Sequence, residues 1–227
     1  MPGRWQVGVE ALLGVVGVVV FLVLARSFVN GGLVISFDDN VSRWVADNAP
    51  GWLEQTARVV TWLGGAIGTT LVTAAAAFVL WRSRRPIDAA FVVVGVIGIT
   101  ILVAVLKAIY ERARPDLGTV IALPHSYSFP SGHAATAVVL YGALGILLAE
   151  RARSSLRAAG WLVGSAALAL AIGASRVVLN VHFVSDVLAG FAIGLAWLCF
   201  CAIARELVRA AQPAADSTQR SDAAGHS

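Results

Sequence analysis

PIDAAFVVVGVIGITILVAVLKAIYERARP, residues 86 to 115, decides the fold. Between Ile87 and Ile109 it carries only two charged side chains, Asp88 near one end and Lys107 near the other. At 1.5 Å rise per residue, about 20 apolar residues cross a hydrocarbon core, so 87–109 is long enough to span a bilayer. Pro86 opens the run where its missing N–H costs nothing. Pro115 biases Arg114 away from helical geometry, so the helix is expected to end near there.

Working outward, five further apolar segments have spanning length: 7–25, 59–81, 133–150, 158–178 and 183–204. Hydrophobic residues make up 58% of the 227 and charged residues 13%; soluble domains carry roughly 25% charged residues. Mean hydropathy is +0.80. The expected fold class is all-α: a polytopic membrane protein built as a six-transmembrane-helix bundle, with 1–209 as a single membrane domain. Glu10 and Asp88 fall near span ends, where they are expected to reach water or headgroups. Beyond Arg209 the residues are Ala, Ser, Gln and Asp without apolar periodicity, so 210–227 is expected to be a disordered cytoplasmic tail. The first span follows Arg4 and exceeds the roughly 7 to 15 residues of a signal core, with no clear small-x-small cleavage site after it, which favours an uncleaved anchor.

The connection 26–58 is not a featureless loop. Asp38-Asp39-Asn40 offers a helix cap, and Val41, Trp44, Val45 and Asn48 recur at helical spacing until Pro50-Gly51. Trp44 and Trp52 on a short amphipathic segment fit a helix at the membrane interface, or a lid packed on the bundle. Gly64/Gly68, Gly160/Gly164 and Gly190/Gly194 are small-x-x-x-small pairs that would let helices approach closely. Cys199 and Cys201, two apart on a helix, point in different directions and cannot pair. The net charge of +4 comes from separated clusters rather than a basic stripe, so no nucleic-acid partner is expected.

Those clusters indicate orientation. With the N-terminus inside, ten of the 17 Lys and Arg residues, including Arg82, Arg84, Arg85, Arg151, Arg153 and Arg157, fall on the inner side and seven on the outer. Cytoplasmic loops carry the positive excess, so both termini are expected to be cytoplasmic.

Against this apolar background three polar blocks stand out: Lys107 with Arg114-Pro115, Pro130-Ser131-Gly132-His133, and Ser175-Arg176 with His182 and Asp186. Lys107 and Arg114, seven apart, would share a helix face if the helix continued; alone, such cations often only snorkel to the interface. Ser131 is a favoured N-cap, and the free N–H groups and positive dipole at a helix start make an anion site that Gly132 leaves open and His133 borders. By itself this block is equally a serine cap beside an interfacial histidine. His182 and Asp186, four apart, would stack on one helix face, the carboxylate accepting the imidazole N–H, fixing its tautomer and supporting positive charge on the ring. The same pair would also serve as a buried structural contact. Parity joins the blocks: the first two flank one loop and the third follows two more crossings, so all three return to one face. Cations, histidines and a helix-start Ser-Gly pair together are what phosphoryl transfer needs.

The three blocks, with all internal spacings intact, resemble the signature of the type 2 phosphatidic acid phosphatase (PAP2) family, the lipid phosphate phosphatases. The resemblance covers 107 to 186 by motif and the whole chain by its six-span plan. It implies an integral membrane phosphatase of the bacterial cell membrane, with its site on the extracytoplasmic face, working without cofactor or metal. It implies that His182 attacks phosphorus and forms a phosphohistidine, that Asp186 orients it, and that His133 protonates the leaving group and then activates water. Lys107, Arg114, Ser131, Gly132 and Arg176 would bind the phosphate. The partners implied are a lipid phosphate substrate and membrane lipids. Polyprenyl diphosphate, phosphatidylglycerol phosphate and phosphatidic acid are the substrate classes, polyprenyl diphosphate being favoured because an outward site suits recycling of that carrier. A phosphotransferase passing the group to an acceptor hydroxyl, and a non-catalytic lipid-phosphate binder or transporter, are the alternatives.

Overall fold

The computed structural model describes residues 4–116 and 126–212, and among them the chain is helical with no strand. Eight helices follow in order: α1 (Arg4–Val29), α2 (Leu33–Asn48), α3 (Gly51–Trp62), α4 (Ala66–Arg82), α5 (Pro86–Tyr110), α6 (Gly132–Ala149), α7 (Ser155–Val178) and α8 (Val184–Ala211). Five of them, α1, α5, α6, α7 and α8, are long and apolar enough to cross a membrane, and the pair α3–α4 qualifies as a sixth only if taken together across a 43° bend.

That bend corrects the expected uninterrupted span 59–81. Leu63-Gly64-Gly65 breaks the helix, and the reason lies in its neighbours: a Cβ on Gly64 would come within 2.4 Å of Ile172 Cγ2 and 3.2 Å of His133 Cδ2. Gly costs roughly 1 kcal/mol relative to Ala inside a helix, so two in succession make a cheap place to open one. An open backbone at membrane depth must still bond, and here it does. Tyr141 Oη of α6 donates to the Leu63 carbonyl at 2.8 Å, and Thr69 Oγ1 donates to the Gly65 carbonyl at 2.8 Å.

α6 is the central helix, packed against α5, α7 and α8, while α1 lies along α8. Its buried face is largely small, with Ala134, Ala135, Ala137, Ala143 and Gly145, so neighbours come close. Gly190 and Gly194 of α8 use that surface as expected, since a Cβ on either would meet the Ser131 or Ala135 carbonyl oxygen at 2.6 and 2.8 Å. Gly160 and Gly164 do not: nothing lies within 4 Å of either, so the third small-residue pair makes no contact among the described residues.

Two polar expectations are corrected. Asp38-Asp39-Asn40 does not cap a helix, because α2 already starts at Leu33 and carries all three in its interior. Asp88 does not reach water. It is buried, and its carboxylate takes Arg205 Nε at 2.7 Å and Arg209 Nη2 at 2.6 Å, with Arg85 on its other oxygen. Arg205 also forks onto both oxygens of Glu150 at 2.7 Å, tying α5, α6 and α8 at the end opposite the three blocks. Removing one partner of such a buried group leaves charge uncompensated, at a cost of about 3–5 kcal/mol. Arg205→Met is therefore expected to lower the midpoint of thermal unfolding in detergent by several degrees, and an unchanged midpoint would show that the cluster is not holding the bundle. The expected domain boundary at 209 falls inside α8, which runs to Ala211, and the expected tail lies outside the described residues from 213 onward.

Candidate active site

Chain direction alone gathers the blocks. α5 and α7 end, and α6 and α8 begin, at one end of the bundle, so Lys107, Arg114, Ser131, Gly132, His133, Arg176, His182 and Asp186 all sit there. Lys107 lies in the last turn of α5, which stops at Tyr110, where Glu111 turns left-handed at φ 45°. Ser131 N donates to the Asp186 carbonyl at 2.9 Å, locking the start of α6 to the first turn of α8.

His182 precedes α8 instead of riding on it, so the pair does not stack on a helix face as expected. The contact forms another way: Nδ1 lies 3.4 Å from Asp186 Oδ2. Asp186 is held firmly in the first turn of α8. Its Oδ2 accepts the Phe183 N–H at 3.0 Å and the Ser128 hydroxyl, and its Oδ1 accepts Arg112 Nη1 at 2.6 Å. With Nδ1 carrying the proton, Nε2 keeps its lone pair, which faces Arg114 Nη1 at 3.2 Å. His182 is 3% exposed. Burial pushes its pKa down to about 4, with Arg114 and Lys107 acting in the same direction and Asp186 opposing. Burial thus favours the neutral ring at rest, while the Asp186 carboxylate favours positive charge on it. The sign for stability follows: a histidine depressed on folding contributes fully above its unfolded value near 6.5, and that contribution is lost as pH falls toward 4.

The three cations of the blocks share one property. Lys107 donates to the carbonyls of Tyr127 and Ser128, the latter at 3.4 Å; Arg114 donates to Val181 O at 2.6 Å and Ser126 O at 2.9 Å; Arg176 donates to Thr61 Oγ1 at 2.6 Å. None of the three forms an ion pair with a carboxylate among the described residues. Arg176 Nε and Ser131 Oγ are moreover buried with no hydrogen-bond partner among the described residues. A buried donor without a partner costs about 1–3 kcal/mol, more when charged, and calls for an explanation such as a missing ion. Ser131 stands at the N-cap of α6 as expected, yet its side chain makes no cap bond and stays available. A Cβ on Gly132 would meet only Val103 Cγ1 at 3.5 Å, so the protein itself leaves that backbone open. His133, half-buried at the start of α6, borders Gly64 and Gly65 of the α3–α4 break and lies within electrostatic reach of Arg176, His182, Arg114 and Lys107.

Five residues of the site escaped the sequence reading. Thr61 orients Arg176, and Ser128 bonds Asp186 and lies 3.3 Å from His182 Nδ1. Arg112 bridges Asp186 and Asp38, with Ser185 bonded to both Arg112 and Asp38. Arg112 and Ser128 each fall two residues before a block residue, and their polarity next to a signature was a usable signal. Asp38 and Thr61 gave none, being far away in sequence. Among the described residues no group of three or more His, Cys, Asp or Glu side chains is arranged to hold a metal ion. Cys199 and Cys201 are both free and buried in α8.

Comparison with known proteins bears out the family resemblance. Residues 88–209 match the PAP2 superfamily. Phosphatidylglycerophosphatase B of Bacillus subtilis is 29% identical over 177 residues, covering 77% of this chain and 86% of that protein. Decaprenylphosphoryl-5-phosphoribose phosphatase of Mycolicibacterium smegmatis is 30% identical over 157 residues, covering 68% of this chain and 66% of that protein. The crystal structure of a transmembrane PAP2 type phosphatidylglycerolphosphate phosphatase from Bacillus subtilis superposes with a TM-score of 0.80 at 26% identity, over 88% of this chain and 98% of that one.

Proposed function

The chain belongs to the PAP2 superfamily, and we propose that it is a metal-independent lipid phosphate phosphatase working through a phosphohistidine on His182. The observation that carries this reading is the set of three cations without a carboxylate partner among the described residues, with Arg176 Nε and Ser131 Oγ buried and unpaired by any described group beside them. An anion with several acceptor oxygens satisfies all of these donors at once. A phosphate group has that chemistry.

In the first step the His182 Nε2 lone pair bonds phosphorus in line as the bond to the leaving oxygen breaks. His133 gives that oxygen its proton. In the second step His133 takes a proton from water, the water oxygen attacks phosphorus, and the bond to Nε2 breaks, releasing inorganic phosphate. Lys107, Arg114 and Arg176, with Ser131 Oγ and the Gly132 N–H, hold the three non-bridging oxygens and stabilise charge that grows on them in both steps. Asp186 keeps the His182 proton on Nδ1 and offsets the positive charge the ring acquires when Nε2 forms its bond.

We place six crossings in the membrane, counting α3–α4 as one broken span, with both termini cytoplasmic and the site extracytoplasmic. α2 and the start of α3 then lie at the outer interface, which accords with the exposure of Phe37, Trp44 and Trp52. Residues 1–209 serve as one catalytic domain. The substrate is a lipid whose phosphate sits at headgroup level. We favour a lipid phosphomonoester, phosphatidylglycerol phosphate ahead of the polyprenyl diphosphate that site orientation alone suggests; the names of the relatives, a phosphatidylglycerophosphatase and a decaprenylphosphoryl-5-phosphoribose phosphatase, support that order.

The test is phosphate release in liposomes from phosphatidylglycerol phosphate, polyprenyl diphosphate and phosphatidic acid, with His182→Ala as blank. Phosphatidylglycerol phosphate is expected to turn over fastest, and addition of EDTA is expected to leave the rate unchanged. Release equal to the blank for every lipid would reject the function, and a rate abolished by EDTA and restored by a divalent ion would reject the metal-free mechanism. Changing Trp44 and Trp52 together to Ala is expected to slow turnover of long-chain lipids several-fold while sparing a water-soluble phosphate, since both rings are exposed where an interfacial helix would seat them. Equal slowing of both would remove α2 and α3 from substrate access.

A further inference from the structure

We propose that Arg112, anchored by Asp38, is a positioning residue for the nucleophile: it fixes the Asp186 carboxylate so that His182 presents Nε2 to phosphorus. The inference rests on the phosphatase reading above, and neither residue is one of the signature positions.

Arg112 is 6% exposed, and its guanidinium lies between the rings of Phe28 at 4.6 Å and Phe183 at 4.2 Å. Nη1 donates to Asp186 Oδ1 at 2.6 Å and to Ser185 Oγ at 2.7 Å, and Nη2 donates to Asp38 Oδ2 at 2.8 Å. A planar guanidinium fork is suited to joining two carboxylates at fixed angles, which a lysine ammonium is not. Asp38, fully buried, comes from the inner face of α2. Its second oxygen accepts the Ser185 N–H at 3.0 Å, and the Ser185 hydroxyl bonds Oδ2. Ser185 and Asp186, both in the first turn of α8, are thereby tied to α2.

The consequence falls on Asp186. Arg112 holds Oδ1, while Oδ2 takes the Phe183 N–H, the Ser128 hydroxyl and His182 Nδ1. The carboxylate cannot turn about its terminal torsion without giving up a charge-assisted bond. A simple packing contact would need one carboxylate on Arg112. Here there are two, so the cluster of Asp38, Asp186 and Arg112 holds one more negative than positive charge beside Nδ1. That surplus is of the right sign and place to balance the charge the imidazole ring gains when Nε2 bonds phosphorus.

The groups facing His182 and Asp186 are Arg112 and Asp38 on one side and Lys107, Arg114, Arg176 and His133 on the other. Removing the positive charge of Arg112 makes the pair easier to protonate, whereas removing the negative charge of Asp38 makes it harder. Opposite displacements in pH are a response that lost packing does not give.

The experiment measures kcat, KM and the pH profile of phosphate release for wild type, Arg112→Met, Arg112→Lys and Asp38→Asn. Arg112→Met, whose side chain still fits between the two rings, is expected to lose about 100-fold in kcat with KM changed less than about threefold, the size of effect a small misplacement of a reacting group produces. Its acidic limb is expected to move up by about one pH unit, and that of Asp38→Asn to move down. Arg112→Lys keeps the charge without the fork, so its limb should stay near wild type while kcat remains reduced. If Arg112→Met does not accumulate, the doubly neutral Asp38→Asn/Arg112→Met variant carries the same kcat comparison. Wild-type kcat in the Met variants, or limbs of Arg112→Met and Asp38→Asn moving in one direction, would overturn the positioning role alone. Absence of any His182-dependent phosphate release from wild type would overturn the phosphatase reading beneath it.

Discussion

His182→Ala is expected to abolish phosphate release, by on the order of 10⁵-fold or more, as removal of a covalent nucleophile does in other hydrolases. The reason is geometric. His182 Nε2 is the one described base whose lone pair faces Arg114 from within the assembled blocks, and its proton-bearing nitrogen is already committed to Asp186. Ser128 is the nearest hydroxyl, but it donates into the same carboxylate and lies on the Nδ1 side of the ring, away from Arg114. Alanine leaves the three cations in place, so lipid binding should persist. Turnover by His182→Ala within tenfold of wild type, in liposomes with folded protein, would mean that another group attacks phosphorus.

The second large effect depends on the substrate. His133→Ala is expected to lower turnover of a lipid phosphate by about 10²–10⁴-fold, the usual contribution of a general acid or base. An alkoxide leaves poorly without a proton, and water attacks poorly without a base. With a nitrophenyl phosphate the leaving oxygen needs no proton, so the first step should recover while the second remains slow. The variant should then release one equivalent of nitrophenol quickly and stall. Loss of both steps to the same degree, whatever the leaving group, would take the acid role from His133. It is half-buried, lies within electrostatic reach of Arg176, Arg114 and Lys107, and borders Gly64 and Gly65 of the α3–α4 break.

That break illustrates what a sequence hides. Residues 59–81 form one apolar run, and periodicity gives no cause to divide it. The cause is tertiary: Ile172 and His133 occupy the space a side chain at Gly64 would need, and Tyr141 supplies the bond the opened backbone loses. α5 was legible because Pro86 marks its start and its apolar run marks its length, though it stops at Tyr110 with a left-handed Glu111 and not at Pro115; α6 was legible because a serine and a glycine open it. The signature residues were legible because their spacing is local and span parity brings their segments together. Arg112 and Asp38 were not, since the pair joins positions 74 residues apart and each alone has an ordinary explanation, a helix-end cation and a helix cap. Asp88 failed in the same way. A carboxylate near a span end usually finds water, but here two arginines from the end of α8 and one from the turn before α5 close over it.

The most direct measurement is a trap of the covalent intermediate. Protein is mixed with a substrate labelled in the scissile phosphate, quenched in alkaline detergent within the first turnover, and the label is mapped by mass. Label is expected on His182 in wild type, at higher occupancy in His133→Ala, and nowhere in His182→Ala. Phosphate released in a single turnover with no labelled protein at any time, or label found on Ser128 or Ser131, would contradict the mechanism.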